Sequence, residues 1–238
     1  PIPYQGSKRN LAATILAVVN GRKVRRLYEP FAGSAALTIA SAYTGGADGF
    51  MIADTLSPLV EIWRCILSSP TALADEYERI WNGQRVADNH YYSRTREAFN
   101  RQKDPAKLLY LLARCVKNSP RWNRDGSFNQ SEDKRRLGMR PEKMRREIEG
   151  VHRLLSGKTE VIAGDFEETT AAATTLDLVY MDPPWEGTSG TKDTRYHQGL
   201  QRKRLVSALE SLNRRGVPWI LSYDGRCGEK TYGEPLPE

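Results

Sequence analysis

Cysteine is scarce in this 238-residue chain. There are three, Cys65, Cys115 and Cys227, and none forms a CxxC pair. An odd and scattered set does not make a disulfide framework and lacks the ligand spacing of structural zinc. The three histidines are equally dispersed, so no metal site is expected. No apolar run approaches the roughly 20 residues that cross a bilayer, and the opening "PIPYQGSKRN" has no signal-peptide hydrophobic region. These absences leave an ordinary soluble composition, 39% hydrophobic and 27% charged, suited to a reducing cytoplasm. The length allows one large or two small domains with a sizeable core.

Charge is present in excess of one sign. The net charge is +7. Residues 85–150 hold 17 Lys and Arg against 9 Asp and Glu, while the remainder is nearly balanced at 19 against 20. The basic excess therefore sits in the middle third. A polyanion partner accounts for this most simply, and nucleic acid is the first choice. A solvated helical surface is the plainer alternative.

The two ends of the chain read differently from its middle. "NLAATILAVVNG" has helical apolar spacing and ends on glycine. "VRRLYEPFAGS" reads as a strand entering a loop, "AALTIASAYTGG" as a helix, "GFMIADTLSP" as a strand ending on Asp54, and "PLVEIWRCIL" as a helix. Such alternation predicts a parallel sheet with crossover helices. From Thr71 to Gly150 the periodicity is helical, except for "SPRWNRDGSFNQ", where Asp-Gly between Arg- and aromatic-bearing flanks is a hairpin signal. After Gly150 the alternation resumes: "TEVIAGDFEE" as a strand ending at Asp165, "LDLVYMDPPW" as another, "LQRKRLVSALESLNRRG" as an amphipathic helix, and "VPWILSYD" as a further strand. The middle block reads as an insertion into an α/β domain.

In open parallel sheets, ligands sit beyond the carboxyl ends of the strands. Four predicted strand ends would meet there: Glu29 to Ser34, Asp54, Gly164 to Phe166, and Asp182 to Trp185. Gly33 permits close backbone approach, and the helix after it offers free N–H groups. This loop lacks the GxGxxG and GxxxxGK[ST] spacings. Asp54 stands where an acid holds ribose hydroxyls, or else caps the helix from Pro58. Asp165 can accept from an adenine amino group with Phe166 against the ring, or else caps a helix. In "DPPW" a carboxylate and a proline carbonyl are two rigid acceptors side by side. They fit one planar –NH2 group, and Trp185 supplies a stacking face. That set suits the exocyclic amine of an aromatic base.

Together "YQGSK", "EPFAGS", Asp54, "GDF" and "DPPW", in this order, resemble the Dam-like, alpha-group (D12 class) DNA adenine-N6 methyltransferases. "YYSRTREAFNRQKDP" and "NRDGSFN" resemble that family's recognition region. The resemblance covers nearly the whole chain. It implies an α/β fold: a Rossmann-like, S-adenosylmethionine-dependent methyltransferase sheet from residues 1–60 and 151–238. Residues 61–150 would be an inserted, mostly helical target-recognition domain containing a β-hairpin. It implies S-adenosylmethionine as cofactor, bound through Tyr4, Gly6, Lys8, Phe31, Gly33, Ser34, Asp54, Asp165, Phe166 and Asp182. Asp182, Pro183, Pro184 and Trp185 would be catalytic, orienting the amine of a flipped adenine. Double-stranded DNA would be held by Arg121, Asn123, Arg124, Lys134, Arg135, Arg136 and Tyr196. Arg121 matches a base-reading position, Arg124 suits a phosphate as well, and Trp122 is expected to anchor the hairpin in the core. Lys134, Arg135 and Arg136 are expected at phosphate or solvent, and Tyr196 in a second wall of the base pocket.

The chain departs from the family pattern in three places. Tyr4 stands where tryptophan is frequent, and Ala35 where a second loop glycine is common, which leaves room for less of the tight turn without forbidding binding. The chain also ends soon after "LSYDGR", which implies a cut chain or a short sheet. A monomer in the cytoplasm of a bacterium, or encoded by a phage, is expected, with a cognate restriction endonuclease acting separately as an optional companion. An RNA adenine methyltransferase would use the same amine pocket, and a non-catalytic DNA- or cofactor-binding module is the third reading.

Overall fold

The computed structural model describes residues 1–19, 21–184, 202–223, 226–227 and 230–231. Trp185 and Tyr196 lie outside the described residues. Five strands form one parallel sheet: β1 (Val24–Glu29), β2 (Ala47–Asp54), β3 (Thr159–Ala163), β4 (Leu178–Met181) and β5 (Trp219–Leu221). Their order is β3-β2-β1-β4-β5, with every neighbouring pair parallel. A short antiparallel pair, β6 (Arg226–Cys227) and β7 (Lys230–Thr231), stands apart from it. The chain winds outward from β1 through β2 to β3, then returns to place β4 on the other side of β1. The order therefore reverses between β1 and β4, and this switch point is where such sheets open a ligand crevice.

Alternation along the strands sorts side chains to two faces. Leu27, Phe50, Ile52, Leu178 and Tyr180 belong to one buried cluster. Tyr28, Met51, Val179 and Met181 belong to the other, with Leu205, Leu209 and Leu212 of α9 (Arg202–Arg214). β4 is buried at all four positions, which is why "LVYM" reads as an unbroken apolar run. Among the described residues no helix is long and apolar enough to cross a membrane.

The first face carries α1 (Ala12–Ala17), α2 (Ala36–Thr44) and α3 (Ser57–Ser68). The same core continues into α4 (Pro70–Val86), α5 (Tyr91–Gln102), α6 (Pro105–Arg114) and α7 (Pro141–Leu155). Met144, Ile148, Val151 and Leu155 give α7 a buried stripe at i, i+4, i+7 and i+11. Positions 60 and 150 fall inside α3 and α7. The helices of the middle third thus share one hydrophobic core with a face of the sheet.

Between α6 and α7, the single-turn Val116–Asn118 leads into the Asp-Gly segment. Trp122 and Phe128 form an antiparallel bridge. Asn123 N–H donates to the Ser127 carbonyl at 2.8 Å and Asn129 N–H to the Arg121 carbonyl at 2.8 Å. The hairpin signal thus corresponds to a closed turn with isolated bridges. Trp122 is 2% exposed and packs edge-on against Phe99 and Phe128, so it anchors the hairpin as expected.

The α4–α5 contact supplies a test of packing. The Tyr91 hydroxyl donates to the Ile80 carbonyl at 2.9 Å, and a Cβ added at Gly83 would run into that hydroxyl. Alanine in a helix interior ordinarily gains up to about 1 kcal/mol over glycine. Overpacking costs about 1–3 kcal/mol. Gly83→Ala is therefore expected to lower the urea midpoint at unchanged slope, against helix propensity. A raised midpoint would show that Tyr91 yields freely.

Candidate active site

The candidate site is built at the carboxyl ends of β1, β2 and β4, with residues 4–8 lying across them. After β1, Gly33 (φ 48°) and Ala35 (φ 45°, ψ 47°) both take left-handed backbone. The turn into α2 is thus made in full, with an alanine in a conformation that glycine adopts at no steric cost. The expectation of a looser turn at Ala35 is corrected: tertiary packing holds this fully buried alanine in the glycine-like region.

Asp54 ties the loop to the next strand. Its Oδ2 accepts from Gly33 N–H at 3.1 Å and its Oδ1 from Leu56 N–H at 2.9 Å. Helix α3 starts at Ser57 with Leu56 before it, so Asp54 is not the cap of that helix. Burial pushes its carboxyl up, and these N–H groups pull it back. Trp63 Nε1–H donates to the Gly33 carbonyl at 3.1 Å, holding the loop from behind. Each Asp54 oxygen keeps a lone pair for a further donor.

Asp165 does cap a helix. Its Oδ1 accepts from Glu167 N–H at 3.0 Å, starting α8 (Phe166–Thr169), and from Arg204 Nη2 at 2.8 Å. No described residue donates to its Oδ2. β3 stops at Ala163, short of Asp165, after a last ladder bond from Gly164 N–H to the Asp54 carbonyl at 3.1 Å. Phe166 is 2% exposed. Phe31 lies 5.1 Å from it between centroids, and the Arg204 guanidinium 5.4 Å from its ring. Of the two rings, the half-buried Phe31 is the more accessible.

Residues 4–8 close the rim. The Tyr4 ring lies 3.7 Å from where a Gly33 Cβ would stand. The Ser34 hydroxyl donates to Ser7 Oγ at 2.7 Å. Lys8 Nζ donates to both carboxylate oxygens of Asp182 at 2.7 Å each and to the Gly6 carbonyl at 3.3 Å. Gly6 takes φ 85°, which lets its carbonyl turn back toward the lysine. Lys8 and Asp182 are 18% and 20% exposed, an accessible but largely desolvated pair. Burial pushes the Asp182 carboxyl up, and Lys8 opposes that. No described residue donates to the carbonyls of Pro183 or Pro184.

Two participants were not singled out in the sequence. Ser7 is one. The other is Glu29, the last residue of β1, 4% exposed, whose Oε2 accepts from Thr38 N–H in the first turn of α2 at 2.8 Å. Burial raises its pKa to about 7, and the charge of Asp182 adds to the rise. It lay inside the quoted "EPFAGS", but a strand-end residue points to either face, and only the fold decides which.

The proposed DNA residues divide. The side chains of Arg121 and Arg124 are exposed and bond to no described residue. Lys134 is exposed. Arg135 is 80% exposed and paired with Asp133. Asn123 braces the turn, donating to Ser127 Oγ and accepting from Asn129 Nδ2, both at 2.8 Å. Arg136 is also spent internally: it donates to Asp133 Oδ2 at 3.1 Å and to the Cys115 carbonyl at 2.7 Å. Arg136 thus braces the turn while its side chain stays 37% exposed.

A five-strand parallel sheet flanked by helices, with carboxylates gathered around its switch point, defines an α/β protein. The family can be stated more closely. A family model described as D12 class N6 adenine-specific DNA methyltransferase matches residues 4–234, and the chain belongs to that family. It is 26% identical to the DNA N-6-adenine-methyltransferase of Escherichia phage P1 over 211 residues, 84% of this chain and 27% of that protein. It is 30% identical to the Retron Ec67 DNA adenine methylase of Escherichia coli over 213 residues, 83% of this chain and 68% of that protein. The DNA adenine methylase of Serratia marcescens is 26% identical over 184 residues, 72% and 62% of the two chains. The chain thus spans about a quarter of the phage relative and about two thirds of the other two.

Proposed function

We propose that this chain transfers a methyl group from S-adenosylmethionine to the N6 amino group of an adenine flipped out of duplex DNA. The observation that carries this is the acceptor pair at the end of β4: the Asp182 carboxylate, held by Lys8, beside the Pro183 carbonyl. Membership of an adenine-specific DNA methyltransferase family supplies the substrate class.

The donor set fits the cofactor. Asp54 retains acceptor capacity for a ribose diol, Asp165 has Oδ2 open to an adenine amine, and Phe31 is a half-buried ring near them. S-adenosylmethionine, when bound, supplies an electrophilic methyl group on a sulfonium. An adenine amine is a poor nucleophile because its lone pair is delocalised into the ring. Asp182 Oδ and the Pro183 carbonyl each accept one N–H, which favours a pyramidal nitrogen with a localised lone pair. With the cofactor held there, its S–C bond would be exchanged for the new N–C bond, and Asp182 and the Pro183 carbonyl would hold the amine until its proton passes to solvent. Rate acceleration comes from positioning and electrostatics. Lys8 need not leave: each carboxylate oxygen accepts twice, so Lys8 can keep one oxygen while the amine takes the other.

Base flipping costs a few kcal/mol, and the two hydrogen bonds, with stacking on Trp185, offset part of it. Residues 61–150 serve as the recognition region in this reading. Their basic excess and the two exposed, unpaired arginines of the hairpin, Arg121 and Arg124, support it. The deciding experiment incubates the chain with labelled S-adenosylmethionine and duplex DNA, then digests the DNA to nucleosides. Label in N6-methyladenine is expected, and label confined to cytosine would refute the reading. Structured RNA as acceptor, run in parallel, separates the RNA alternative.

Arg121 is proposed as a base reader. Bidentate arginine–guanine contacts discriminate by about 1–3 kcal/mol. Arg121→Ala is expected to spread methylation onto near-cognate sites, roughly 10- to 100-fold at one base pair. Sequencing of modified bases would detect this. An unchanged site preference would reassign Arg121 to the backbone.

A further inference from the structure

A basic groove lies away from the strand ends, along α7. A cavity of about 580 Å³ is walled by Pro3, Asn118, Met139, Arg140, Lys143 and Arg146, and a smaller one of about 300 Å³ continues past Lys143 and Arg146 to Val151. Arg140, Lys143 and Arg146 follow one another at three-residue steps, on one side of the helix. All three are exposed, and none pairs with a described carboxylate. Their neighbour Arg145 shows the contrast: it is held by Asp75 at 2.6 Å and Glu78 at 3.0 Å. Glu142 and Glu147 also border the groove, so it is not a uniform positive field. Its free cations are spaced like a track over about 9 Å of helix axis.

The groove's far wall is strained. Lys117 and Asn118 are consecutive non-glycine residues with left-handed backbone, φ 56° and 52°. Such conformations are unfavourable for residues other than glycine and persist where the surroundings impose them. Here the Asn118 side chain donates to the Leu112 carbonyl at 2.7 Å, and its own carbonyl accepts from Gln5 N–H at 2.9 Å. The turn exposes Lys117 and ties three parts together: the end of α6, the start of the hairpin, and residues 4–8. Gln5 lies three residues before Lys8, at most about 11 Å of chain, and Lys8 grips Asp182. The Asn118 wall of the groove is therefore within one turn of B-DNA, about 34 Å, of the proposed catalytic carboxylate.

We propose that this groove receives the sugar-phosphate backbone of the target duplex beside the flipped adenine, with Arg140, Lys143 and Arg146 as phosphate contacts. This rests on the DNA-methyltransferase reading above and adds to it a second contact surface, separate from the hairpin. Three flexible cations without carboxylate partners suit phosphates, which position a duplex without reading its sequence.

The test is duplex-oligonucleotide binding by fluorescence anisotropy across a series of salt concentrations, with the full chain. The variant Arg140→Gln/Lys143→Gln/Arg146→Gln is compared with Lys23→Gln/Lys158→Gln/Arg214→Gln, an equal charge loss at exposed positions beside the strand starts. Each lost phosphate contact flattens the slope of log K against log salt by about 0.9. The groove variant is expected to lose about 2–3 in slope, equally for cognate and scrambled duplexes, while the other variant keeps the parental slope. Matched thermal unfolding checks that both are folded. Equal slopes in the two variants would overturn the proposal. So would a groove variant that loses binding of a polyglutamate peptide but not of DNA. Adenine methylation by the parent chain is measured alongside. Methylation with equal slopes refutes the groove alone, whereas no methylation refutes the activity and leaves the slope comparison standing.

Discussion

Asp182→Ala is expected to lower methyl transfer by at least about 10³-fold while duplex binding changes only a few-fold. Removing one preorganised hydrogen-bonding group from a transition state costs about 10²–10³ in rate. Here the lost carboxylate also leaves Lys8 facing the incoming amine without its counter-charge, which repels the developing positive nitrogen. Duplex affinity rests on cations elsewhere, so it should survive. Asp182→Asn is expected to fall between the two, since it keeps one acceptor oxygen but loses the ion pair. Labelled methyl transfer under single-turnover conditions, paired with anisotropy, separates chemistry from binding. Turnover of Asp182→Ala near the parental rate would sink the orienting role.

The second large effect is on stability and its dependence on pH. Glu29 is buried at the end of β1, and its pKa rises from an ordinary 4.5 to about 7. A folded-state pKa above the unfolded one means that the folded state holds the proton more tightly. The stability that this contributes is fully present below pH 4.5 and is lost as pH rises to about 7. By linkage the loss is of order 3 kcal/mol. Asp54 and Asp182 are also shifted up and act in the same direction, whereas surface carboxylates held by arginine act in the opposite one. The difference between the parent and Glu29→Gln isolates the group. The variant should gain on the parent in urea midpoint across pH 4.5 to 7 and hold that gain above. Parallel profiles would show that Glu29 does not titrate in this window. The Thr38 N–H contact of Glu29 survives in glutamine, whose amide oxygen still accepts.

Much of the fold was legible before any coordinates. Strand and helix periods separate cleanly at the two ends of the chain, and β4 announced itself by an apolar run stopped at two prolines. The hairpin was legible as an Asp-Gly turn, and Trp122 as its anchor, because a large ring beside a turn has to be buried somewhere. What misled was local chemistry with two outcomes. Asp54 before a helix reads as a cap, yet it bonds Gly33 across the rim as well as Leu56. Arg136 in a basic run reads as a free cation, yet Asp133 and the Cys115 carbonyl hold it. Ala35 reads as a weaker turn, yet the turn closes fully around it. Each outcome depends on a partner far off in sequence or on packing, and pattern cannot supply either.

The sequence by itself determined that a buried strand ends on a carboxylate and two prolines, the acceptors on which the proposed amine pocket rests. It also determined the parallel sheet, since strand–helix alternation leaves few other topologies, and it localised the basic excess. Only the tertiary structure decided that Lys8 meets Asp182 across 174 residues of chain, that Glu29 turns inward beneath them, and that α7 leaves three cations without carboxylate partners. Periodicity and motif chemistry are local, set by neighbours within a few residues. Pairing of charges and direction of side chains are set by closure of the sheet, and closure brings together residues that the sequence keeps far apart.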